Sequence, residues 1–274
     1  MPELRCPVCG GLLQQREKTY VCSTGHSFDR AKSGYVNLLI ARQSAAQHGD
    51  DKKMVRARRA FLEGGFYEPL QNALCRAAMK QAPEKRVDLL DAGCGECYYT
   101  AAVEQALLGS GREVSAVGVD ISKDALRFGD KRGHDLRLAV ASAYHMPVED
   151  DSCDIVLNVF APFAGEEYLR VLRRGGVVLH VSPGEHHLWE LKQVLYDHPY
   201  PNEVKETPYE GFAYAEIRHV EDRIRVLGQE DIHALFQMTP YYWKTPKSGC
   251  QRLAALEELA VTISFDIHVF RREA

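Results

Sequence analysis

The stretch Val87-Asp88-Leu89-Leu90-Asp91-Ala92-Gly93-Cys94-Gly95-Glu96-Cys97 decides the fold of this chain. A mostly apolar run ends in an acid and enters a Gly-x-Gly turn, and a helical pattern begins at Tyr98. This order predicts a strand, a tight turn and a helix N-terminus, an arrangement in which backbone can approach a ligand closely. A second predicted strand ends at Asp120, whose carboxylate can bind the hydroxyls of a ribose.

The charges of the turn indicate which kind of ligand it takes. It carries acids at Asp91 and Glu96 and has no phosphate-binding lysine. Phosphate would be repelled here, whereas a cationic cofactor such as S-adenosylmethionine would be attracted. Position 97 is a cysteine, where an Asp-x-Gly-x-Gly-x-Gly pattern would place its third glycine.

Length and composition limit the classes of protein to consider. The 274 residues, 45% of them hydrophobic, suit one large domain or one domain plus a small module. No apolar run approaches the roughly 20 residues that span a bilayer. The N-terminus shows no apolar region typical of a secretory signal, so we expect a cytoplasmic protein without membrane attachment.

Charge is distributed unevenly along the chain. The formal net charge is −4, yet residues 1–60 hold eleven Lys and Arg against five Asp and Glu, which leaves +6 there and −10 in the remainder. A basic front segment on an acidic body indicates a polyanionic partner at the front end.

Two residue pairs in the front segment have metal-ligand spacing. Cys6 and Cys9 form a CxxC pair, and Cys22 with His26 forms a second pair after twelve intervening residues. This spacing predicts a tetrahedral Cys3His zinc site. With four protein ligands the zinc would be structural, and a module of about 40 residues usually needs such support to fold.

The rest of the front segment leaves two functions open. Residues 28–38 interleave basic residues with Phe28 and Tyr35, which could stack RNA bases or instead form a small core beside the zinc. Residues 43–51 are polar and predict a flexible linker, and residues 53–62 predict a basic helix that binds RNA or is merely solvated. We therefore expect a zinc module at 1–40, a linker and basic helix at 41–66, and a catalytic domain at 67–274.

From residue 70 onward, strand and helix patterns alternate. This order predicts a doubly wound parallel sheet whose final strand runs antiparallel. The predicted strands are 87–91, 114–120, 136–141, 154–159, 177–182, 213–220 and 261–270. The predicted helices are 98–108, 123–131, 166–172, 187–196 and 229–236.

Ligands bind at the carboxyl ends of such strands. We expect the turn to contribute Asp91, Gly93, Gly95 and Glu96 to the cofactor site. Beyond the turn, Asp120 would hold the ribose, Ile121 would flank the adenine, and Ser142 and Ala143 would border its edge. A nucleotide oxidoreductase or an unliganded α/β domain is the alternative.

Further short motifs are spread along the chain. They are the zinc ligands, residues 28–39, residues 57–62, Tyr67, the Gly-Cys-Gly-Glu turn with Tyr98, Tyr99 and Thr100, Ala161-Pro162, Pro183-Gly184 with His187-Leu188, and Gln237-Met238-Thr239-Pro240 with Trp243. Through them the chain resembles the bacterial 23S ribosomal RNA guanine-N1 methyltransferases (the RlmA type) over essentially its whole length.

The resemblance implies a class I, Rossmann-like S-adenosylmethionine-dependent methyltransferase with a small N-terminal zinc ribbon. It implies cofactor contacts at Tyr67, Gly95, Glu96 and His187, a 23S rRNA hairpin as partner, and a homodimer. Some members of the family are linked to macrolide-type antibiotic resistance. The clearest departure from the family pattern is Cys97, where glycine is common.

We therefore predict methylation of guanine N1 in 23S rRNA. The N1 proton calls for a base or for a partner to the developing O6 oxyanion. His180, His186, His187 and the region of Asn158 are candidates, and the sequence selects none of them. Neither does it select the guanine that is methylated. The alternatives are a small-molecule methyltransferase with a zinc appendage and a non-catalytic RNA-binding protein that retains a cofactor pocket.

Overall fold

The structure is a computed structural model that describes residues 2–40, 51–129, 132–133, 135–204 and 209–273. The predicted linker at 43–51 lies outside these residues except for its last member. The predicted end of a helix at Lys131 lies outside them as well.

The front segment forms a small antiparallel sheet. Its strands are β1 (Leu13–Arg16), β2 (Thr19–Cys22) and β3 (Ser27–Asp29), paired in the order β1-β2-β3. A fourth strand, β4 (Val36–Asn37), leaves this small sheet and joins the large one.

The body is built on one mixed sheet in the order β10-β11-β9-β8-β5-β6-β7-β4. Its strands are β5 (Arg86–Ala92), β6 (Glu113–Asp120), β7 (Leu136–Val140), β8 (Cys153–Val159), β9 (Leu172–Pro183), β10 (Phe212–Leu227) and β11 (Glu258–Arg272). The strands from β4 to β9 pair in parallel, and β11 is antiparallel to both β9 and β10. The predicted doubly wound sheet with an antiparallel final strand is confirmed.

The helices cover both faces of the large sheet. They are α1 (Lys52–Glu63), α2 (Glu68–Gln81), α3 (Tyr98–Gly109), α4 (Lys123–Gly129), α5 (Gly165–Val171), α6 (Trp189–Leu195), α7 (Gln229–Gln237) and α8 (Lys247–Ala254), with a 3-10 turn at Pro240–Trp243. Among the described residues, no helix is both long and apolar enough to cross a membrane.

Helices α2 and α8 are missing from our sequence prediction. Helix α2 nevertheless carries the usual signals, because a proline stands in its first turn and its buried residues recur every three or four positions. Those residues are Leu70, Ala73, Leu74, Ala77 and Ala78. Alanine contributes little to a hydrophobic pattern, and this weakens the signal.

Two predicted boundaries are wrong. The strand predicted to begin at residue 177 begins at Leu172, and a register shift opposite Cys153 and a positive φ of 78° at Gly175 absorb the irregularity between the two positions. The helix predicted from His187 begins at Trp189, because Leu188 adopts a left-handed backbone with φ 56°.

The front segment is joined to the body through strand pairing. Val36 and Asn37 pair in parallel with Ala139 and Val140 of β7, and the Leu38 amide donates to the Val140 carbonyl over 3.0 Å. Val36 and Leu38 are fully buried in the same apolar cluster as the centre of the large sheet. The front segment therefore extends the catalytic sheet and shares its core.

Candidate cofactor and zinc sites

The four predicted zinc ligands converge on one point. Their ligand atoms all lie within 4.8 Å of one another. The Sγ atoms of Cys9 and Cys22 are 3.7 Å apart, and His26 Nδ1 lies 3.6 Å from Cys6 Sγ and 3.4 Å from Cys22 Sγ. Zinc bonds of about 2.1 Å to nitrogen and 2.3 Å to sulfur place tetrahedral ligands about 3.6–3.8 Å apart. The cluster therefore fits a tetrahedral zinc ion.

The two aromatic side chains of the front segment, Phe28 and Tyr35, pack against apolar clusters. Tyr35 is buried in the main apolar cluster, and Phe28 is half-buried against the cluster that contains Cys6 and Cys22. Of the two functions left open for these rings, the structure favours core packing over base stacking.

The glycine turn needs its two glycines for different reasons. Gly93 has φ 91°, and a Cβ there would lie 2.6 Å from the Cβ of Ala161 on the neighbouring loop. Gly95 has φ 54°, and its amide donates to Oδ2 of Asp120 over 2.8 Å. These left-handed conformations suit glycine and bring the backbone close to the loop after β8.

Asp120 organises the carboxyl end of β6. In addition to the Gly95 amide, its carboxylate accepts the amide of Ser122 over 2.7 Å through Oδ1. This fixes the carboxylate between the glycine turn and the start of α4. Ile121 follows directly and is half-buried.

The second predicted adenine wall lies at the end of the neighbouring strand. Ser142 is buried and Ala143 is half-buried just beyond β7, and Ser142 Oγ accepts the Tyr144 amide over 3.2 Å. The parallel pairing of β6 with β7 places this segment and Asp120 at the same edge of the sheet.

Asp91 is a buried acid with spare hydrogen-bonding capacity. Thr100 donates to its Oδ2 over 2.5 Å, whereas Oδ1 is buried without a hydrogen-bond partner among the described residues. Burial and, to a lesser extent, the Asp120 charge raise the pKa of Asp91 to about 7 against the opposing effect of the Thr100 hydrogen bond. A cationic ligand group would favour the ionised form.

Glu96 points away from the turn and into a cluster of arginines. Its carboxylate is 4% exposed, with Arg132 Nη2 3.1 Å from Oε1 and Arg59 Nε 3.9 Å from Oε2. Neither oxygen has a hydrogen bond of good geometry within the described chain. Burial raises the pKa of Glu96, and both arginines oppose that rise. A cofactor contact at this position would therefore come from the backbone of Glu96.

Cys97 adopts the conformation of the glycine that it replaces. Its φ is 62°, in the left-handed region, and it forms the N-cap of α3. The side chain is fully buried, and its Sγ would lie 2.8 Å from a Cβ placed on Gly129. The thiol thus occupies space that the missing side chain of Gly129 leaves free.

Tyr67 and His187, far apart in sequence, form a buried pair. Tyr67 Oη lies 3.2 Å from His187 Nε2, and His187 Nδ1 accepts the Ser264 amide over 3.2 Å. The proton of the neutral ring therefore sits on Nε2 and is donated to Tyr67. Burial lowers the pKa of His187 to about 3, with Lys192 adding to the effect. His187 is thus a neutral hydrogen-bond donor, and the lone pair on its Nδ1 already accepts the Ser264 amide.

The other candidate bases are either hydrogen-bonded to buried protein groups or exposed on the surface. The Asn158 side-chain amide is buried and donates to Tyr168 Oη, 2.8 Å away, with longer contacts to two backbone carbonyls. Its Oδ1 lies 2.5 Å from Nδ1 of His180, which therefore carries the proton. Burial lowers the pKa of His180 to about 4. His186 is 58% exposed beside Glu185.

An aromatic cluster at this edge was missed by the sequence analysis. The Phe160 ring lies 5.6 Å from the Phe265 ring and 6.4 Å from the Tyr99 ring, centroid to centroid, and Phe265 also packs on both Tyr67 and His187. Phe160 stands directly before the Ala161-Pro162 motif, which could have drawn attention to it.

The described residues fit an adenosyl cofactor with a cationic tail. The two glycines let the backbone of the turn approach a ligand closely, and the carboxylates of Asp91 and Asp120 lie beside it. Asp91 Oδ1 and Tyr99 Oη are buried without hydrogen-bond partners in the described part of the chain. A ligand with donors and a positive charge would satisfy these atoms.

Comparisons with known proteins agree with this geometry. A zinc-ribbon family model described as "RlmA, N-terminal" matches residues 4–45, and a methyltransferase-domain model matches residues 89–176. A solved complex between the Haloferax volcanii Trm112 methyltransferase activator and a provisionally assigned methyltransferase is similar at a TM-score of 0.50 and 17% identity. That similarity covers 83% of this chain and 100% of that chain, and shows the fold alone.

Three curated relatives carry one activity in their names. YxjB of Bacillus subtilis, a provisionally named 23S rRNA (guanine-N1) methyltransferase, is 32% identical over 96% of this chain and 95% of its own length. A provisionally named 23S rRNA (guanine-N1) methyltransferase of Micromonospora griseorubida is 36% identical over 99% and 97%. The 23S rRNA (guanine(748)-N(1))-methyltransferase of Streptomyces fradiae is 37% identical over 70% and 67%. With its sheet order, its zinc-ligand cluster and these relatives, the chain belongs to the family of 23S rRNA (guanine-N1) methyltransferases.

Proposed function

We propose that this protein transfers a methyl group from S-adenosylmethionine to N1 of a guanine in a hairpin of 23S rRNA. The observation that carries the proposal is the pairing of β4 with β7, because it joins the zinc module to the strand that ends beside Ser142. A module suited to RNA and a pocket suited to the cofactor thereby share one edge of the sheet.

The cofactor supplies an electrophilic methyl group when it is bound. We propose that backbone of residues 93–96 approaches it, that Asp91 faces its positive charge, and that Asp120 binds its ribose. Ile121, Ser142 and Ala143 would enclose the adenine. Tyr67 is positioned by His187, whose Nε2 proton its oxygen accepts. The Tyr67 hydroxyl would therefore donate its own proton to the cofactor.

The protein would act mainly by positioning the guanine. Guanine N1 lies on the base-pairing edge, so the target base has to leave its stack to enter the site. His187 and His180 are neutral, and both ring nitrogens of His187 and one of His180 are committed to partners. Most of the rate acceleration would then come from holding N1 against the methyl donor in a site that excludes water.

Primer extension on methylated rRNA tests the proposal. The protein is incubated with labelled cofactor and unmodified 23S rRNA, and the product is reverse-transcribed. We expect label in the RNA and a new stop at one hairpin guanine, because N1 methylation blocks pairing. Label that enters only small molecules, or cofactor binding without transfer, would refute it in favour of the alternatives given above.

Further expectations rest on the resemblance to the family. We propose a homodimer, which light scattering after size exclusion would test, and the cytoplasm as compartment, because rRNA is the proposed substrate. Resistance to macrolide-type antibiotics stays a prediction, which the inhibitory drug concentration in a susceptible bacterial host with and without the gene would test.

A further inference from the structure

Phe160 is exposed at a point of the fold where large apolar side chains are normally packed. It follows β8 directly, at the carboxyl edge of the sheet, and its side chain is 46% exposed. The preceding Val159 is 9% exposed. The ring therefore projects from the end of a buried strand toward the edge where this fold binds its ligands.

The backbone of Phe160 is held in an unfavourable conformation. Its φ is 56°, in the left-handed region that aromatic residues rarely adopt, and its amide donates to the Val181 carbonyl over 3.2 Å. Strained residues of this kind persist where surrounding structure imposes them, and they concentrate at functional sites. In this conformation the ring leaves the apolar core.

The next residue fixes how close this ring lies to the cofactor turn. The Cβ of Ala161 would be 2.6 Å from a Cβ on Gly93, so the loop after β8 and the glycine turn are in contact. The Phe160 ring also approaches Phe265, which packs on Tyr67 and His187. Phe160 thus lies between the turn and the tyrosine–histidine pair.

A buried hydroxyl in the same corner has no hydrogen-bond partner among the residues that the structure describes. The Tyr99 ring meets Phe160 edge-on with 6.4 Å between centroids, and the buried Tyr99 hydroxyl makes no hydrogen bond with any described residue. A ligand that offers both an aromatic face and hydrogen-bonding edges would satisfy both rings. Two components of the proposed reaction offer both, the adenine of the cofactor and the target guanine. Since the adenine is proposed to lie against Ile121, Ser142 and Ala143, this corner is left for the guanine.

We propose that the exposed face of Phe160 is the platform on which the extruded guanine stacks before methyl transfer. This inference rests on the proposed function and adds a base-binding residue to it. A ring held beside the turn would fix the plane of the guanine and so orient N1 toward the methyl donor.

Two variants separate stacking from folding. Phe160→Tyr keeps the ring, whereas Phe160→Leu keeps an apolar side chain on the same strained backbone and loses the aromatic face. We expect Phe160→Leu to lower kcat/KM for a 23S rRNA hairpin by about tenfold to a hundredfold, because stacking on an aromatic contributes strongly to base binding. We expect Phe160→Tyr to stay close to the wild type, and calorimetry to give both variants an unchanged Kd for S-adenosylmethionine.

A cross-linking experiment needs no variant. The methylated guanine, once mapped, is replaced by 6-thioguanosine in a synthetic hairpin, and the complex with the wild-type protein is irradiated. The cross-linked peptide should contain Phe160.

The outcomes distinguish the two proposals. Wild-type protein that produces no primer-extension stop removes the proposed function together with this inference. A normal wild-type stop combined with full activity in Phe160→Leu, with a parallel loss of cofactor binding, or with a cross-link elsewhere overturns the stacking role alone.

Discussion

Arg132 and Glu96 form an ion pair beside the glycine turn, with Nη2 of the arginine 3.1 Å from Oε1 of the acid. The acid is 4% exposed and the arginine 20%. Arg59 of α1 lies 3.9 Å from the other oxygen and also contacts Glu63. The basic helix and the turn are therefore connected through one buried carboxylate.

Removing Arg132 should destabilise the protein. Arg132→Ala leaves the buried Glu96 carboxylate with the more distant Arg59 as its remaining cationic partner in the described part of the chain, at a cost of about 1–3 kcal/mol in unfolding free energy. Glu96→Gln in the same chain should recover part of the loss, because the amide carries no charge. Urea unfolding of both single variants and the double variant measures this coupling, and simple additivity would contradict it.

Cys97 and Gly129 should be coupled in stability. Cys97→Gly relieves a left-handed strain of about 1–2 kcal/mol but loses a buried thiol and adds about 0.5–1 kcal/mol of chain entropy, so the net change should be small. Gly129→Ala alone should destabilise, since its Cβ would lie 2.8 Å from the Cys97 sulfur. The double variant should unfold at a higher denaturant concentration than Gly129→Ala alone, and an equal or lower midpoint would argue against this packing.

Cofactor affinity should depend on pH through Asp91. The free protein holds this carboxyl at a pKa of about 7, and a positive ligand favours its ionised form. Affinity should therefore rise with pH up to about 7 and then level off, with protons released on binding at pH 6. Calorimetry in buffers of different ionisation enthalpy measures that release, and Asp91→Asn should bind weakly without this pH dependence. Proton uptake at pH 6 would exclude the assignment.

Loss of zinc should lower the methylation of rRNA more than the affinity for the cofactor. Cys6→Ser removes one of four ligands, so the small sheet should unfold and methylation of rRNA should fall at least tenfold. Cofactor affinity should fall only severalfold, because the glycine turn belongs to the body. The exposed thiol of Cys250 offers the matched control, Cys250→Ser. Equal losses of cofactor binding and methylation would contradict this division of roles.

RNA binding should depend on the exposed face of α1. Lys52, Lys53 and Arg56 are exposed, whereas Arg59 is engaged with acids and is a poor probe of phosphate contacts. Replacing the exposed three with alanine should reduce the slope of log affinity against log salt by up to about 2, at roughly 0.7 per lost phosphate contact. Lys85→Ala, at an exposed position just before β5, should leave the slope unchanged. An unaltered slope in the triple variant would refute the assignment.

The catalytic sheet was predictable because each buried strand is a short apolar run that ends in a turn or an acid. The zinc cluster was predictable for a similar reason, since its ligand pairs are local in sequence. Tyr67 and His187 were named only through the resemblance, each as a cofactor contact. Their contact with each other, at a separation of 120 residues, was not predicted, because no local pattern links two such residues.

Features that depend on tertiary packing were not predictable. The two-residue strand β4 is too short for any periodicity, and its partner β7 lies about 100 residues away. The exposure of Phe160 depends on one backbone torsion angle that an apolar sequence does not signal. The orientation of Glu96 away from the turn depends on arginines from two other segments.

The strand pairing between β4 and β7 limits how this enzyme could be re-engineered. A recognition domain on a free tether can be exchanged for another, with only the tether length to adjust. Here a replacement recognition module would have to supply a strand that pairs with β7 in the register of Val36 opposite Ala139 and fills the same buried space. Target choice and catalytic scaffold are therefore expected to be inherited together. A hybrid between relatives should join their sequences before Val36, so that β4 and β7 come from one parent, rather than after Leu38, which would separate them.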